Sequence, residues 1–426
     1  IALKITNKKA ALISLFSLSS MPLWIQYSRY ASPDFPFVLC ILLVILFFLK
    51  SLDSSEYIRK NFFIFLAGLF VSLSFFLRSY MTFVPLAGLS PFIFYHLFKK
   101  DNTIKIFFCS GIFFGSIPSC INLYFSAKKY GSIGITALFD FARKQAIGEV
   151  GINNLILLPL KFLYLTFPLG ILVLILFIFT RSNIKVNYPL LVYVYPFLSL
   201  ILLLFMSTSY PHYYLFLLPS LSIIFSSYIT TNSFRYSFSI NAIRYLLLII
   251  IFFISSILLF SIIYYKDLVI QYSYGNPLLV FVIASSLAIS YLLSIRFLFD
   301  FKALSFNLLN FFYNIVLSQF ISLSFLFNLG VLGNPNSTTK LFLKDDRISS
   351  IINSNTIYLY NLDSKTQTLL SYYLPSSRVV DDLEGISTYK YLITSNSNSF
   401  EKLDMHQLFI PVKKFDNHLL LMNIGK

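Results

Sequence analysis

Five side chains, spread along an otherwise greasy chain, have types that could do chemistry together. Arg29 and Asp34 lie in QYSRYASPDFP, between two long apolar runs. Arg78 interrupts SLSFFLRSYMTFVPL, and His212 and Tyr213 stand in SYPHYYLFLLP. A carboxylate can take a proton from an attacking hydroxyl. An arginine presents a planar donor fork that fits phosphate with paired hydrogen bonds. A histidine can donate to phosphate or carry a proton. Each has a plainer alternative: Asp34 as a helix cap before Phe-Pro, Arg29 as a snorkelling or headgroup residue, Arg78 as half of a structural ion pair, and the tyrosines as an interfacial belt.

Other constellations are missing. No Ser-His-Asp set, zinc cluster or phosphate-cradling glycine loop can be assembled from the sequence. Cys40, Cys109 and Cys120 lie in apolar stretches without metal or redox spacing, and His96, His406 and His418 show no metal-like spacing either. A divalent ion on Asp34 is left open, since one carboxylate is too little to define a site. The 126–153 loop adds Lys128, Lys129, Asp140, Arg143, Lys144 and Glu149. Within it, Leu138, Phe141 and Ala142 share one helical face, so the spacing suits an amphipathic helix lying on the membrane.

The elements that must hold these residues follow from composition. The chain of 426 residues is 57% hydrophobic and 12% charged, with 49 phenylalanines, and its mean hydropathy is +0.76. Soluble chains carry about 25% charged residues, so the solvent for this one is a bilayer. The net charge of +16 then belongs to cytoplasmic loops rather than to nucleic-acid binding. Apolar segments at 10–26, 36–50, 61–78, 80–98, 104–125, 155–180, 187–207, 212–229, 243–264, 276–298 and 305–330 predict about eleven membrane-spanning helices, with 36–50 short and an uncertain break at 78–82. Basic residues gather in alternate connections, among them Lys8 and Lys9, Arg59 and Lys60, Lys99 and Lys100, and Arg235. That side is cytoplasmic by the positive-inside rule. The N-terminus of the chain is then cytoplasmic, while QYSRYASPDFP, SYPHYY and the C-terminal tail face outward from the plasma (inner) membrane.

Residues 1–335 read as the membrane domain and 336–426 as a small, soluble, extracytoplasmic α/β domain. In that tail TIYLYNL, YKYLIT and HLLLMNI read as short alternating or apolar strands, and SKTQTLLSYYL shows helical spacing at Leu369, Leu370 and Tyr373.

These stretches resemble a known family. TNKKAALISLFSLSSMPLWIQYSRYASPDFP, LAGLFVSLSFFLRSYMTFVPLAGLSPF, SYPHYYLFLLPSLSII and the tail are similar, in that order, to the GT-C glycosyltransferases of the protein mannosyltransferase and lipid A aminoarabinose transferase (ArnT-like) type. The resemblance implies a GT-C-like membrane fold and a cell-envelope glycosyltransferase. Such an enzyme moves a sugar from a polyprenyl-phosphate donor to a hydroxyl of a glycan, lipid or protein acceptor on the outer face. It also implies Asp34 as the catalytic carboxylate, with Arg29, Arg78, His212 and Tyr213 binding the donor phosphate and lipid. Arg78 stands where the family usually carries lysine. The family's first acidic position has no counterpart here, and the chain begins at Ile1, so further N-terminal spans are expected upstream. Two other classes compete. A transporter would place charges at mid-membrane and show repeats, and a non-catalytic assembly or receptor protein would use the tail to bind partners.

Overall fold

Helix breakers decide where the apolar runs of this chain bend, and the bends bring distant charges together. The computed structural model of the chain describes residues 1–30, 32–98, 102–132, 187–206, 210–230, 239–264, 277–298 and 304–329, short pieces at 135–136 and within 160–171, and much of 332–423. One compact unit takes in the helices up to Leu332, and a second begins at Gly333.

The first unit opens with α1 (Ala2–Ile5), α2 (Lys8–Ser20) and α3 (Pro22–Ser28). Asn7 caps α2 through a hydrogen bond from the Ala10 amide (2.9 Å). Pro22 then ends the run: it lacks an amide donor and forces Met21 into an extended conformation (φ −66°, ψ 129°). The chain bends by 68° there. A bend inside a bilayer frees carbonyls that no water can satisfy. Gln319 answers this, because its Nε2 donates to the Ser20 carbonyl (3.0 Å) and to the Phe167 carbonyl (2.7 Å). Its Oε1 accepts from the hydroxyl of Tyr291, and Ser20, Tyr291 and Gln319 are all buried.

Next come α4 (Asp34–Asp53), α5 (Tyr57–Arg78), α6 (Phe83–Phe98) and α7 (Asn102–Tyr130). Helix α4 runs antiparallel to α5, with Phe47 stacked on Phe63 and Phe70 at 6.1 and 5.7 Å. The uncertain break at 78–82 is a real corner: α5 stops at Arg78, and Ser79–Thr82 form a 3₁₀ turn. Ser79 takes φ +49°, which is unusual for a non-glycine residue. The chain reverses there, since Phe92 of α6 returns to within 5.5 Å of Phe48 near the far end of α4.

Helices α5 and α7 run parallel and touch backbone to backbone. A Cβ on Gly68 would fall on the Phe108 carbonyl oxygen, one on Gly111 on that of Phe65, and one on Gly115 on that of Leu69. GIFFG is thus a small-xxx-small contact of the kind that lets helices approach in lipid, where no hydrophobic force separates protein from solvent. Ser72 adds a hydrogen bond across the pair to the Ile112 carbonyl (2.7 Å).

The remaining helices of this unit are α8 (Tyr195–Leu204), entered through a π-turn at Leu190–Val194, then α9 (Leu218–Thr230), α10 (Ser239–Tyr264), α11 (Pro277–Ser294) and α12 (Leu304–Asn328). Among the described residues, six helical stretches are long and apolar enough to span a membrane, with Tyr57–Leu97 counted once although it turns back at Ser79, and the bent α2–α3 pair makes a seventh; Leu190–Leu204 and Leu247–Phe260 are shorter apolar helices. Every expected segment except 155–180 falls on an observed helix, and most of 155–180 lies outside the described residues.

The second unit holds α13 (Asp346–Ser354), α14 (Ser364–Tyr373) and a five-stranded mixed sheet: β1 (Ile357–Tyr360), β2 (Arg378–Val380), β3 (Tyr391–Ser395), β4 (Phe409–Phe415) and β5 (His418–Asn423). The strand order is β2-β1-β3-β5-β4. The β1 strand pairs in parallel with β2 and β3, while β5 is antiparallel to β3 and β4. Ile357, Leu359, Ile393 and Leu420 bury one face under Ile348 of α13 and Leu370 of α14. One expectation needs correcting: Tyr373 is exposed, and Leu374 takes the core position because it lies one helical turn on from the buried Leu370, with its amide donating to the Leu370 carbonyl (2.7 Å).

Two substitutions test this packing by heat or SDS unfolding of the purified protein in detergent. Gly111→Ala forces backbones apart and should cost about 1–3 kcal/mol. Gln319→Leu strands two buried carbonyls at roughly 1–3 kcal/mol each. An unchanged midpoint in either variant contradicts the corresponding contact.

Candidate functional site

Helices α4 and α5 and the 3₁₀ segment Pro211–Leu217 carry four of the five expected residues to one place, and α3 packs Tyr27 beside them. After the 68° bend, α3 ends at Ser28 and a tight turn follows, with the Tyr30 amide donating to the Tyr27 carbonyl (3.2 Å) and the Ser32 amide to that of Tyr30 (2.8 Å). Helix α4 then starts at Asp34 itself. Its capping position is Pro33 and carries no side-chain cap, so Asp34 is not the cap. It is the first helical residue, where free amides favour an anion.

Asp34 is only 5% exposed. It is compensated by an ion pair with Arg78, whose Nη2 donates to Asp34 Oδ1 across the mouth of the antiparallel α4–α5 pair. Arg78 thus has the structural partner that the sequence left open. Its guanidinium also lies 6.0 Å from the ring centre of Tyr213, within the range of a cation–π contact.

Tyr213 continues the cluster. Its ring meets His212 edge-on at 4.6 Å, and His212 stacks nearly parallel on Tyr210 at 5.6 Å. His212 also reaches across to Tyr27 of α3, at 5.7 Å. Both His212 and Tyr27 sit in the electrostatic field of Asp34 and Arg78. The 3₁₀ winding that presents His212 and Tyr213 leaves carbonyls without α-helical partners, and the fully buried Tyr195 hydroxyl donates to that of Phe216 (3.2 Å). Phe37 of α4 contacts Phe216 at 6.3 Å, which fixes the segment against the helix that carries Asp34.

Arg29 is placed differently. It is the exposed C-cap of α3 and has no ion-pair partner among the described residues. Lys128 and Lys129 end α7, and the amphipathic stretch around Leu138, Phe141 and Ala142 lies outside the described residues.

Sequence reasoning missed Tyr27, Tyr30 and Gln26. Tyr27 and Tyr30 pack edge-on at 5.2 Å, and Gln26 Nε2 donates to the Tyr30 hydroxyl (3.3 Å). The signal was present in QYSRY, since residues three and four apart share a helical face. An interfacial aromatic belt explained the same residues equally well. Among the described residues, no three His, Cys, Asp or Glu side chains come together to hold a metal ion.

Arranged this way, the site joins a buried carboxylate, a two-pronged cation, an imidazole and phenolic rings at one end of the helices. It can take a proton at Asp34 and hold an anion at Arg78 and His212.

No curated protein matches the sequence. Two solved structures match its whole length. ArnT from Cupriavidus metallidurans in the apo state aligns with a TM-score of 0.67 at 13% identity, covering 100% of this chain and 80% of ArnT. The same protein bound to undecaprenyl phosphate aligns with a TM-score of 0.62 at 11% identity, covering 100% and 81%. Residues 1–124, which carry Arg29, Asp34 and Arg78, match the sequence profile described as dolichyl-phosphate-mannose-protein mannosyltransferase. The chain therefore has an ArnT-like, GT-C-type membrane fold, with the mannosyltransferase pattern in its first 124 residues.

Proposed function

We propose that the protein is a membrane glycosyltransferase that moves a sugar from a polyprenyl-phosphate donor to an acceptor hydroxyl at the extracytoplasmic face. The observation that carries this reading is the meeting of Asp34, Arg78 and His212, from three separate elements, in one cluster. The ArnT-like fold and the mannosyltransferase pattern over residues 1–124 support it. So does the undecaprenyl phosphate held by ArnT in one of the two matching structures, as a lipid of the required class.

The chemistry balances with these groups. Asp34 accepts the proton of the acceptor hydroxyl as its oxygen attacks the anomeric carbon of the sugar. The bond from that carbon to the phosphate oxygen breaks, and the electron pair leaves with the polyprenyl phosphate. Arg78 and His212 stabilise the charge that builds on that phosphate, which is where preorganised donors contribute most to rate. Tyr213 flanks Arg78 and His212 and shapes the donor side, and the exposed Arg29 meets the lipid phosphate at the rim. The ion pair gives a sequence of events: an arriving phosphate competes for the Arg78 fork and so releases the Asp34 carboxylate to act as base.

Transfer assays with polyprenyl-phosphate sugars test the assignment, run alongside unfolding measurements. Asp34→Asn should lower turnover by roughly 10²–10⁴-fold, the usual contribution of a general base. Arg78→Leu should cost about 3–5 kcal/mol of stability, because Asp34 is left buried and uncompensated. Combining it with Asp34→Asn should restore stability and leave activity lost. Arg78→Lys keeps the charge and loses the fork, so weaker donor binding with near-normal folding is expected. A stable, fully active double variant would show that the pair is structural only.

A further inference from the structure

His212 is oriented by rings alone. Neither of its ring nitrogens makes a hydrogen bond among the described residues. Its ring neighbours are Tyr27, Tyr210 and Tyr213, with centroids at 5.7, 5.6 and 4.6 Å. In many sites the hydrogen bond made by one imidazole nitrogen settles what the other nitrogen does. Here both nitrogens stay available to a ligand. The torsion that turns the ring is also broad and restrains itself weakly, so the plane has to be held through its faces and edges.

Tyr210 holds it face to face. The two ring planes are only 5° apart at 5.6 Å, an offset stack within the range that aromatic pairs prefer. Pro211 makes the stack possible. It starts the 3₁₀ segment and keeps Tyr210 extended before it (φ −80°, ψ 146°), so Tyr210 stands outside the winding that carries His212. The Tyr210 carbonyl then accepts from the Tyr213 amide (3.0 Å) and closes the first turn. Burial does not explain the Tyr210 ring. It is 53% exposed, its hydroxyl makes no hydrogen bond among the described residues, and its other ring contact is Tyr213, edge-on at 5.6 Å.

We propose that Tyr210 is a positioning residue, which sets the plane of the His212 imidazole so that an N–H of that ring meets the donor phosphate. The inference rests on the phosphate role given above to His212. Tyr213 extends the order to the second donor, because its ring lies 4.6 Å from the imidazole and 6.0 Å from the Arg78 guanidinium. An imidazole fixed by Tyr210 is thus fixed relative to Arg78 as well. Donors held in place beforehand stabilise a developing charge without reorganising at the moment of reaction, and a ring free to turn would lose that advantage.

Titration of undecaprenyl phosphate into the full chain in nanodiscs tests this through a double-mutant cycle. Tyr210→Leu should weaken binding by about two- to tenfold, the worth of one aromatic pair. Tyr210→Phe keeps the ring and should bind like wild type. In the His212→Ala background, Tyr210→Leu should add nothing, because Tyr210 acts through the imidazole. A tyrosine serving only as part of an interfacial belt would give the same result with or without His212. Three outcomes overturn the positioning role and leave the transfer reading standing: wild-type affinity in Tyr210→Leu, an equal loss in Tyr210→Phe, or an undiminished Tyr210→Leu loss in the His212→Ala background. Wild-type affinity in His212→Ala removes the phosphate role of His212, and this proposal with it.

Discussion

A carboxylate at membrane depth must be neutralised, and the pairing of Asp34 with Arg78 is the constraint to which the surrounding fold answers. It ties the first residue of α4 to the last residue of α5, so the two helices must run antiparallel and end level with each other. The chain must then reverse sharply after Arg78, and it does so through the positive-φ corner at Ser79. On the other flank, α3 must be broken away from α2 to bring Tyr27 alongside, and the bend at Pro22 does this. The ion pair, the corner and the break serve one geometry.

Polar repair recurs wherever the helices are interrupted. Gln319 closes the Ser20 carbonyl freed at the α2–α3 bend, and Tyr195 closes one freed by the 3₁₀ winding at Pro211–Leu217. Both side chains are buried, and each hydrogen-bonds across to an interrupted segment that shapes the site. In lipid such repairs are obligatory, because a backbone carbonyl that would be solvated in a soluble protein has no alternative partner. The irregular segments that carry Tyr27, His212 and Tyr213 exist only because distant side chains complete them.

That distance sets what could be read from the sequence. Asp34, Arg78 and His212 stood out because charge or imidazole within an apolar run is costly and so needs a reason. The helices stood out because a bilayer imposes their length. The expected segment 36–50 proved to be the longer helix Asp34–Asp53. The identity of Arg78's partner was not legible, since Asp34 is 44 residues away. Gln319 was less legible still, at 299 residues from Ser20, and it resembled any polar residue in a helix. The glycines of GIFFG matter through a contact with α5 that appears only once α6 has folded back between them in sequence. In the second unit, local pattern sufficed for β1, β3 and β5, and it failed at the end of α14, where the core residue is Leu374 and not Tyr373.

The glycine seam between α5 and α7 has a mechanical corollary. Two parallel helices in backbone contact, cross-linked by Ser72, behave as one stiff strut, and Arg78 is mounted at its tip. The opposing wall, made of the two-turn α3 and the turn leading to Pro33, is hinged at Met21 and far shorter. The cation is therefore carried by the stiffer of the two sides, whereas the tyrosine-bearing side joins the rest of its span only through the 68° bend at Met21.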